Sequence, residues 1–306
     1  MSTSSSPLSM SLPTNFNWRP FVELSRIDRF AGTMILFWPY AWSITMSARQ
    51  AQVPLIPYVN GLAAGFLGAC LLHSGGCVWN DIIDKDIDAR VERTKGRPLP
   101  KGTLSVAHAA YFLMPHLLGL AVLAHHLNPI AWRMALITVL PLTGLYPFMK
   151  RITYWPQAWL GITLNAPVLL ASSVLTPDVS TGAMVLAAGG WCWTMWYDTI
   201  YGSQDKKDDV SAGVKSIVLL LQQHTKIALS IFAAGLWLSW TICGFMTSSG
   251  PVYFVITTGG GGLLLARDLW TVDVDDPKSC LIAFERNGFL IGPVVWSGFL
   301  LDYLLS

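Results

Sequence analysis

Two stretches of this sequence gather oxygen-bearing side chains at spacings that suit a hard cation. In NDIIDKDID, residues 80–88, Asn80, Asp84 and Asp88 recur every four residues and stack on one face of a helix, with Asp81 beside them. In YDTIYGSQDKKDD, residues 197–209, Asp198, Asp205 and Asp209 fall at i, i+7 and i+11, Asp208 lies adjacent, and Gly202 leaves room at i+4. Carboxylates this close repel one another, so such a stripe costs helix stability unless something cationic binds. Mg²⁺ takes oxygen ligands and is commonly held by one or two protein carboxylates while a substrate phosphate supplies the rest. Two acidic stripes facing each other could thus hold Mg²⁺ on a diphosphate. Arg93, Arg97, Lys101, Lys150, Arg151 and Lys215 could neutralise the same group and stabilise it as a leaving group.

A plainer reading exists for either stretch alone: a solvated helix end whose acids pair with Lys85, Arg90 and Arg93. The second stretch shifts the balance, because both stripes follow an apolar run and would lie on the same side of the chain's apolar layer. Asp81, Asp86 and Asp208 are each displaced around their helices and read equally as solvated neighbours or ligands.

The elements that must position these groups are apolar helices. Of the 306 residues 53% are hydrophobic and only 12% charged, far more apolar surface than one soluble core needs. Windows near membrane-spanning length with at most one charge, Arg133, Asp198 and Asp302 being the charges inside them, run near residues 30–46, 58–79, 106–127, 130–148, 155–175, 181–201, 227–246, 252–266 and 289–305. The expected fold is all-α: a polytopic integral membrane protein of about nine transmembrane helices forming one bundle around a central cavity. One domain covers 1–306, with 1–25 as a short N-terminal tail. The third and fourth spans are separated only by Asn128-Pro129 and must be antiparallel neighbours.

The charges sort the connections. Eighteen of the twenty Lys and Arg residues fall on one face, with Arg49 and Arg133 the exceptions; that face is cytoplasmic by the positive-inside rule. Nearly all the acids share it, apart from Asp178 and Asp302. A net charge of +2 offers no field for nucleic acid. The first twenty residues hold no apolar run and no base before Arg19, so they read as neither a secretory signal nor an Arg-rich mitochondrial presequence, which points to an endomembrane location.

Several other features read as packing. Cys70, Cys77, Cys192, Cys243 and Cys280 form no C-x-x-C pair. GGGG at 259–262 is followed by apolar residues, which argues for close helix packing or a local break and against a phosphate loop. The acids of 273–276 read as a solvated loop, and Arg267, Glu285 and Arg286 as charges that orient the last two helices. His73 and His116 read as hydrogen-bonded filling.

Taken together, NDIIDKDID and YDTIYGSQDKKDD followed by GVKS, with ERTKGRPLPKG, YPFMKRITYWPQ and RIDRFAGTMILFWPYAWS, resemble the UbiA family of membrane prenyltransferases. The resemblance implies that Asn80, Asp84 and Asp88 form a first aspartate-rich motif and Asp205 and Asp209 a second, together binding Mg²⁺ and the diphosphate of a prenyl diphosphate. It places Arg97, Lys150, Arg151 and Lys215 around the diphosphate, with Tyr146 in the same segment. Arg29 matches a base at the start of the first span and is the candidate partner of an acceptor carboxylate. Phe30 departs from the proline usual there. The implied reaction is electrophilic prenylation of a small aromatic acceptor at the lipid bilayer, with catalytic roles for Asp84, Asp205, Asp209 and Asp198; Asp198 could accept a proton or hold metal.

The acceptor stays open between two branches of that resemblance. One farnesylates aromatic polyketide acids such as orsellinic-acid derivatives in meroterpenoid pathways; the other is the 4-hydroxybenzoate polyprenyltransferase of ubiquinone synthesis. A divalent-cation transporter is the alternative from another class, opposed by span interiors almost free of charge. A membrane-bound terpene cyclase would consume the donor without an acceptor.

Overall fold

The computed structural model describes residues 17–176 and 178–306, and all regular structure among them is helical. A short helix α1, Arg19–Ser25, lies within the stretch expected to be a tail. It precedes α2, Ala31–Gln50; α3, Leu55–Asp88; and α4, Val106–His125. The next rod, α5, is Pro129–Ile152, followed by α6, Pro156–Leu175, and α7, Thr181–Gly202. Then come α8, Lys206–Ala212; α9, Ile217–Leu221; and α10, Thr225–Met246. Two rods close the chain, α11 at residues 251–271 and α12 at 277–304.

By length and apolar composition, five helices among the described residues can cross a membrane: Leu55–Asp88, Val106–His125, Pro129–Ile152, Pro156–Leu175 and the run Ile217–Met246. The nine windows read from the sequence fall on helices in the structure, yet α2, α7, α11 and α12 do not meet that measure. For α2 its place in the bundle explains it. Sixteen of the twenty residues of α2 are buried, so it needs no lipid-facing surface and tolerates Thr33, Ser43, Thr45 and Ser47 in its interior. By contrast, α4 buries Ala109 alone and exposes Tyr111, Met114, Leu118 and Val122, the outward apolar face a bilayer covers.

Packing follows from small residues. α2 lies against α3, α6 and α12. On α12 the π-wound turn Asn287–Ile291 brings Gly288 onto the backbone of Ala31 and Gly292 onto the ring of Trp38. The same approach lets Trp38 and Trp42 donate their indole N–H to the carbonyls of Gly288 and Gly292 at 2.6 and 3.1 Å. Gly261 and Gly262 of the GGGG run follow the π-wound turn Phe254–Gly260 and face Trp240 and Trp237. Asn128 caps α5, its Oδ1 accepting from the amides of Ile130 and Ala131 at 3.0 Å each, and so fixes the antiparallel turn from α4.

The charged positions outside the acidic stripes also have structural uses. Asp276 caps the first turn of α12 through the amides of Lys278 and Ser279, so the acidic 273–276 loop is in part a helix start. Arg286 pairs with Asp268 at 3.2 Å between α12 and α11. At the opposite end of the bundle, Arg49 pairs with Asp302 at 2.8 Å, and Asp302 accepts from the amide of Gly250 at 2.7 Å. His73 meets the Thr33 hydroxyl at 3.0 Å and His116 that of Ser74 at 2.7 Å, both as hydrogen-bonded filling.

Candidate active site

α3 has 34 residues, ~51 Å at 1.5 Å per residue, well beyond the ~30 Å apolar thickness of a bilayer. Its first two thirds are apolar and its last turns carry Asp81, Asp84 and Asp88, all buried. They stand at the negative end of the helix dipole, where anions are disfavoured and cations drawn in. α7 ends nearby with Asp198 and Tyr201, the tight turn Ser203–Asp205 follows, and α8 supplies Asp209. Two basic segments close over these acids: the loop after α3, with Arg93 and Arg97, and the end of α5, with Lys150 and Arg151.

The ion pairs are specific. Lys150 Nζ donates to Asp84 Oδ2 at 2.7 Å, and Arg151 Nη2 lies 3.8 Å from Asp84 Oδ1 while bonding the Ile83 carbonyl at 2.7 Å. Arg97 Nη1 joins Asp88 at 2.7 Å and Asp81 at 3.1 Å. Arg93 grips Asp205 through Nε and Nη2 at 2.8 and 2.6 Å, bonds the Tyr201 hydroxyl at 3.0 Å, and sits 5.1 Å over that ring. The second stripe is tied to the end of α5 as well, because the Lys215 amide donates to the Lys150 carbonyl at 3.0 Å.

Two oxygens stand out against this pairing. Asn80 Oδ1 and Asp84 Oδ1 are buried without a hydrogen-bond partner, one helical turn apart on α3. An unpaired buried acceptor costs free energy, and a hard cation satisfies two of them at once. No three His, Cys, Asp or Glu side chains among the described residues converge into a complete metal cage. Asp84, Asp88, Asp205 and Asp209, expected together as ligands, therefore stand apart here, with Asp88 held by Arg97 and Asp205 by Arg93.

Asp209 is buried on α8, and burial pushes its carboxyl up to about 6; Asp205 adds to the rise, and the Ser216 hydroxyl, Lys150 and Arg93 pull against it. Asp198 lies within electrostatic reach of Lys150 and Arg93 and beside the Gln157 amide. Gln157 in turn accepts from the Ile217 amide at 3.2 Å. Tyr146 of α5 is half-buried and within electrostatic reach of Asp198 and Asp84.

Other expected members lie apart from this cluster. Arg29 is largely exposed and 4.0 Å from its neighbour Asp28. Lys101 is exposed on the loop. Lys215 is bound through Nζ to the Ile152 carbonyl at 3.2 Å and sits 5.7 Å over Tyr154, so its charge caps α5. Asp208 accepts from the Glu92 amide at 2.9 Å. Asp81, read as a possible solvated neighbour, is instead fully buried and held by Arg26 and Arg97. Arg26, Tyr201 and Gln157 join the site without having been singled out. The segment RIDR did mark a base at the start of α2, but Arg26, not Arg29, turns inward.

Residues 36–292 match the UbiA prenyltransferase family. The chain is 49% identical over 285 residues to the UbiA prenyltransferase claS of Ampulloclitocybe clavipes, covering 93% of this chain and 91% of that protein. It is 39% identical over 292 residues to the mitochondrial 4-hydroxybenzoate polyprenyltransferase of Drosophila melanogaster, 94% of this chain and 72% of the relative. Among solved structures, the UbiA homolog of Aeropyrum pernix K1 superposes with a TM-score of 0.72 at 23% identity, covering 88% of this chain and 97% of that one. The Archaeoglobus fulgidus homolog bound to DMAPP and Mg²⁺ does so at 0.67 and 15% identity, covering 92% and 99%.

Proposed function

The chain belongs to the UbiA prenyltransferase family, and from that premise we propose that it transfers a prenyl group, farnesyl, from a prenyl diphosphate to an aromatic polyketide acid such as an orsellinic-acid derivative, in meroterpenoid secondary metabolism. The observation that carries the reading is the pair of unpartnered oxygens on Asn80 and Asp84 amid Lys150, Arg151, Arg93 and Arg97. Two acceptor oxygens without a hydrogen bond stand among ion-paired bases that could turn to an anion, as a magnesium diphosphate requires. The same charge-balanced cluster, at one end of an apolar bundle, replaces the cation-transporter reading.

In this reading Asn80 and Asp84 would hold Mg²⁺, and Asp88, Asp205 and Asp209 would join them once Arg97 and Arg93 turn to the diphosphate. When bound, the ion supplies positive charge to the departing diphosphate. Lys150, Arg151, Arg93 and Arg97 bind the remaining phosphate oxygens. The bond from the prenyl C1 to oxygen breaks with its electron pair on the diphosphate, an electron-rich aromatic carbon bonds to C1, and the displaced ring proton passes to a base. Asp198 would accept it, with the Gln157 amide beside it. Nine helical rods would span the bilayer, the acidic end facing the cytoplasm of an endomembrane.

The polyketide-acid acceptor rests on the resemblance of the sequence motifs to that branch; identity is 49% to claS and 39% to the Drosophila enzyme named for 4-hydroxybenzoate. The alternative, polyprenylation of 4-hydroxybenzoate, is supported by that second set of relatives. Membranes carrying the protein, Mg²⁺ and labelled farnesyl diphosphate, offered 4-hydroxybenzoate or a methylated orsellinic acid, test both. A prenylated product from the polyketide acid alone supports the first reading; product from 4-hydroxybenzoate alone replaces it with the second.

A further inference from the structure

Asp81 has no part in the reaction just described, although it is 0% exposed. Both of its oxygens are taken: each accepts from Arg26 Nη2 at 2.8 Å, and Oδ1 also accepts from Arg97 Nη1 at 3.1 Å. This contrasts with Asp84, three residues on, whose Oδ1 has no hydrogen-bond partner. A carboxylate saturated by two guanidinium groups is poorly disposed to ligate a metal, since either arginine would have to be displaced from a buried site.

Arg26 is itself fixed. Its Nη1 donates to the carbonyls of Glu23 and Leu24 at 2.6 and 3.2 Å, capping α1, and its backbone takes a left-handed φ of 57°. On the other side, the two bonds that hold Arg97 to acids both run through Nη1, one to Asp81 and one to Asp88 at 2.7 Å. Guanidinium is planar with five donors, so pinning one nitrogen between two carboxylates sets the direction of the Nε–Nη2 edge. Arg26 cancels the charge of Asp81, so this orientation adds no net repulsion toward an anion.

We propose that Asp81 is a positioning residue: it sets the guanidinium of Arg97 so that its remaining edge meets the prenyl diphosphate, and Arg26 at the end of α1 buttresses Asp81. The N-terminal helix thereby contributes to diphosphate affinity. This inference rests on the prenyl diphosphate reading of the site.

The test uses the full-length protein in lipid nanodiscs and the unreactive analogue farnesyl thiodiphosphate, with binding measured by calorimetry across a Mg²⁺ series. Asp81→Asn should weaken analogue binding about tenfold, in keeping with a charge-assisted bond lost or misaligned, and leave the Mg²⁺ half-saturation of that binding within about twofold of wild type. Asp84→Asn should move the Mg²⁺ half-saturation. In an Arg97→Gln background, Asp81→Asn should add less than about twofold, because its effect acts through Arg97. A Mg²⁺ shift in Asp81→Asn like that of Asp84→Asn would make Asp81 a ligand and overturn the proposal, as would unchanged analogue affinity or full additivity with Arg97→Gln. If Asp81→Asn does not accumulate folded, Arg26→Gln/Asp81→Asn removes one charge of each sign and should show the same loss of affinity; normal affinity there overturns it equally. Wild type that fails to bind the analogue at any Mg²⁺ concentration refutes the site reading itself, separately from the role of Asp81.

Discussion

Lys150 donates to one oxygen of Asp84 at 2.7 Å, while the other oxygen has no hydrogen-bond partner and only a loose 3.8 Å approach from Arg151, so one half of the side chain is held and the other is open to a ligand. The closed half keeps the buried charge tolerable; the open half is what a cation can use.

Asp84→Asn keeps the volume of the side chain and removes its charge. Loss of one preorganised charge-stabilising group at a reacting centre typically lowers turnover 10²- to 10³-fold, so a fall of at least ~100-fold in kcat is expected. Thermal melting run beside the kinetics should show a folded protein. An enzyme that retains wild-type turnover would remove Asp84 from the machinery.

Arg93 covers both oxygens of Asp205. Mg²⁺ alone must compete with that grip, whereas a diphosphate gives Arg93 another anion to hold. Mg²⁺ and farnesyl thiodiphosphate should therefore each tighten the other's binding by about tenfold or more, by linkage to the same extent. Arg93→Gln should bind Mg²⁺ alone more tightly than wild type does and lose most of the mutual gain. Calorimetric titration of each ligand with and without the other reads both effects.

The carboxyl of Asp209 is pushed up from 3.8 to about 6. The folded protein thus holds this proton more tightly than the unfolded chain, and the stability it contributes is present below about 4 and lost as pH rises through about 6. Without Mg²⁺, the melting temperature of wild type relative to Asp209→Asn should fall between pH 4 and pH 7. Mg²⁺ binding should weaken as pH drops below about 6, since the ion needs the ionised group. A pH-independent difference between the two proteins would contradict the assignment.

Gly288 touches α2 so closely that an added Cβ would stand 2.8 Å from the Ala31 carbonyl oxygen. Backbone cannot swing aside as a flexible side chain does. Gly288→Ala should lower stability by about 1–3 kcal/mol through overpacking, read as a drop in melting temperature. Gly144→Ala, with nothing within 4 Å of its added Cβ, serves as the comparison that melts near wild type.

Much of this architecture was legible because it is local. Apolar runs mark helices, and the four-residue recurrence of Asn80, Asp84 and Asp88 states which side of α3 carries oxygen. The partners of those oxygens were less so. Arg26 and Arg29 are three residues apart in one segment, and only the left-handed turn at Arg26 decides which folds under the bundle and which stays in water. Asp81 could be called buried only once α1 was known to pack against α3, a contact between elements with no shared periodicity. Lys215 carries the right charge in the right segment, yet the nearby Ile152 carbonyl and Tyr154 ring claim it. Helices α2 and α7 were seen as spans for their lack of charge, and their polar hydroxyls and indoles make sense only in the middle of a bundle.

The overhang of α3 beyond the apolar layer has a further bearing on the proposed reaction. Reactant and products differ in which solvent they prefer: the donor is an amphiphile straddling two media, the released diphosphate belongs to water, and the prenylated arene belongs to oil. A single rod that keeps its carboxylates past the lipid boundary and its apolar length within it lets the bond break at the interface. Each fragment then departs into its own phase, and dilution of both opposes the reverse reaction without any moving part.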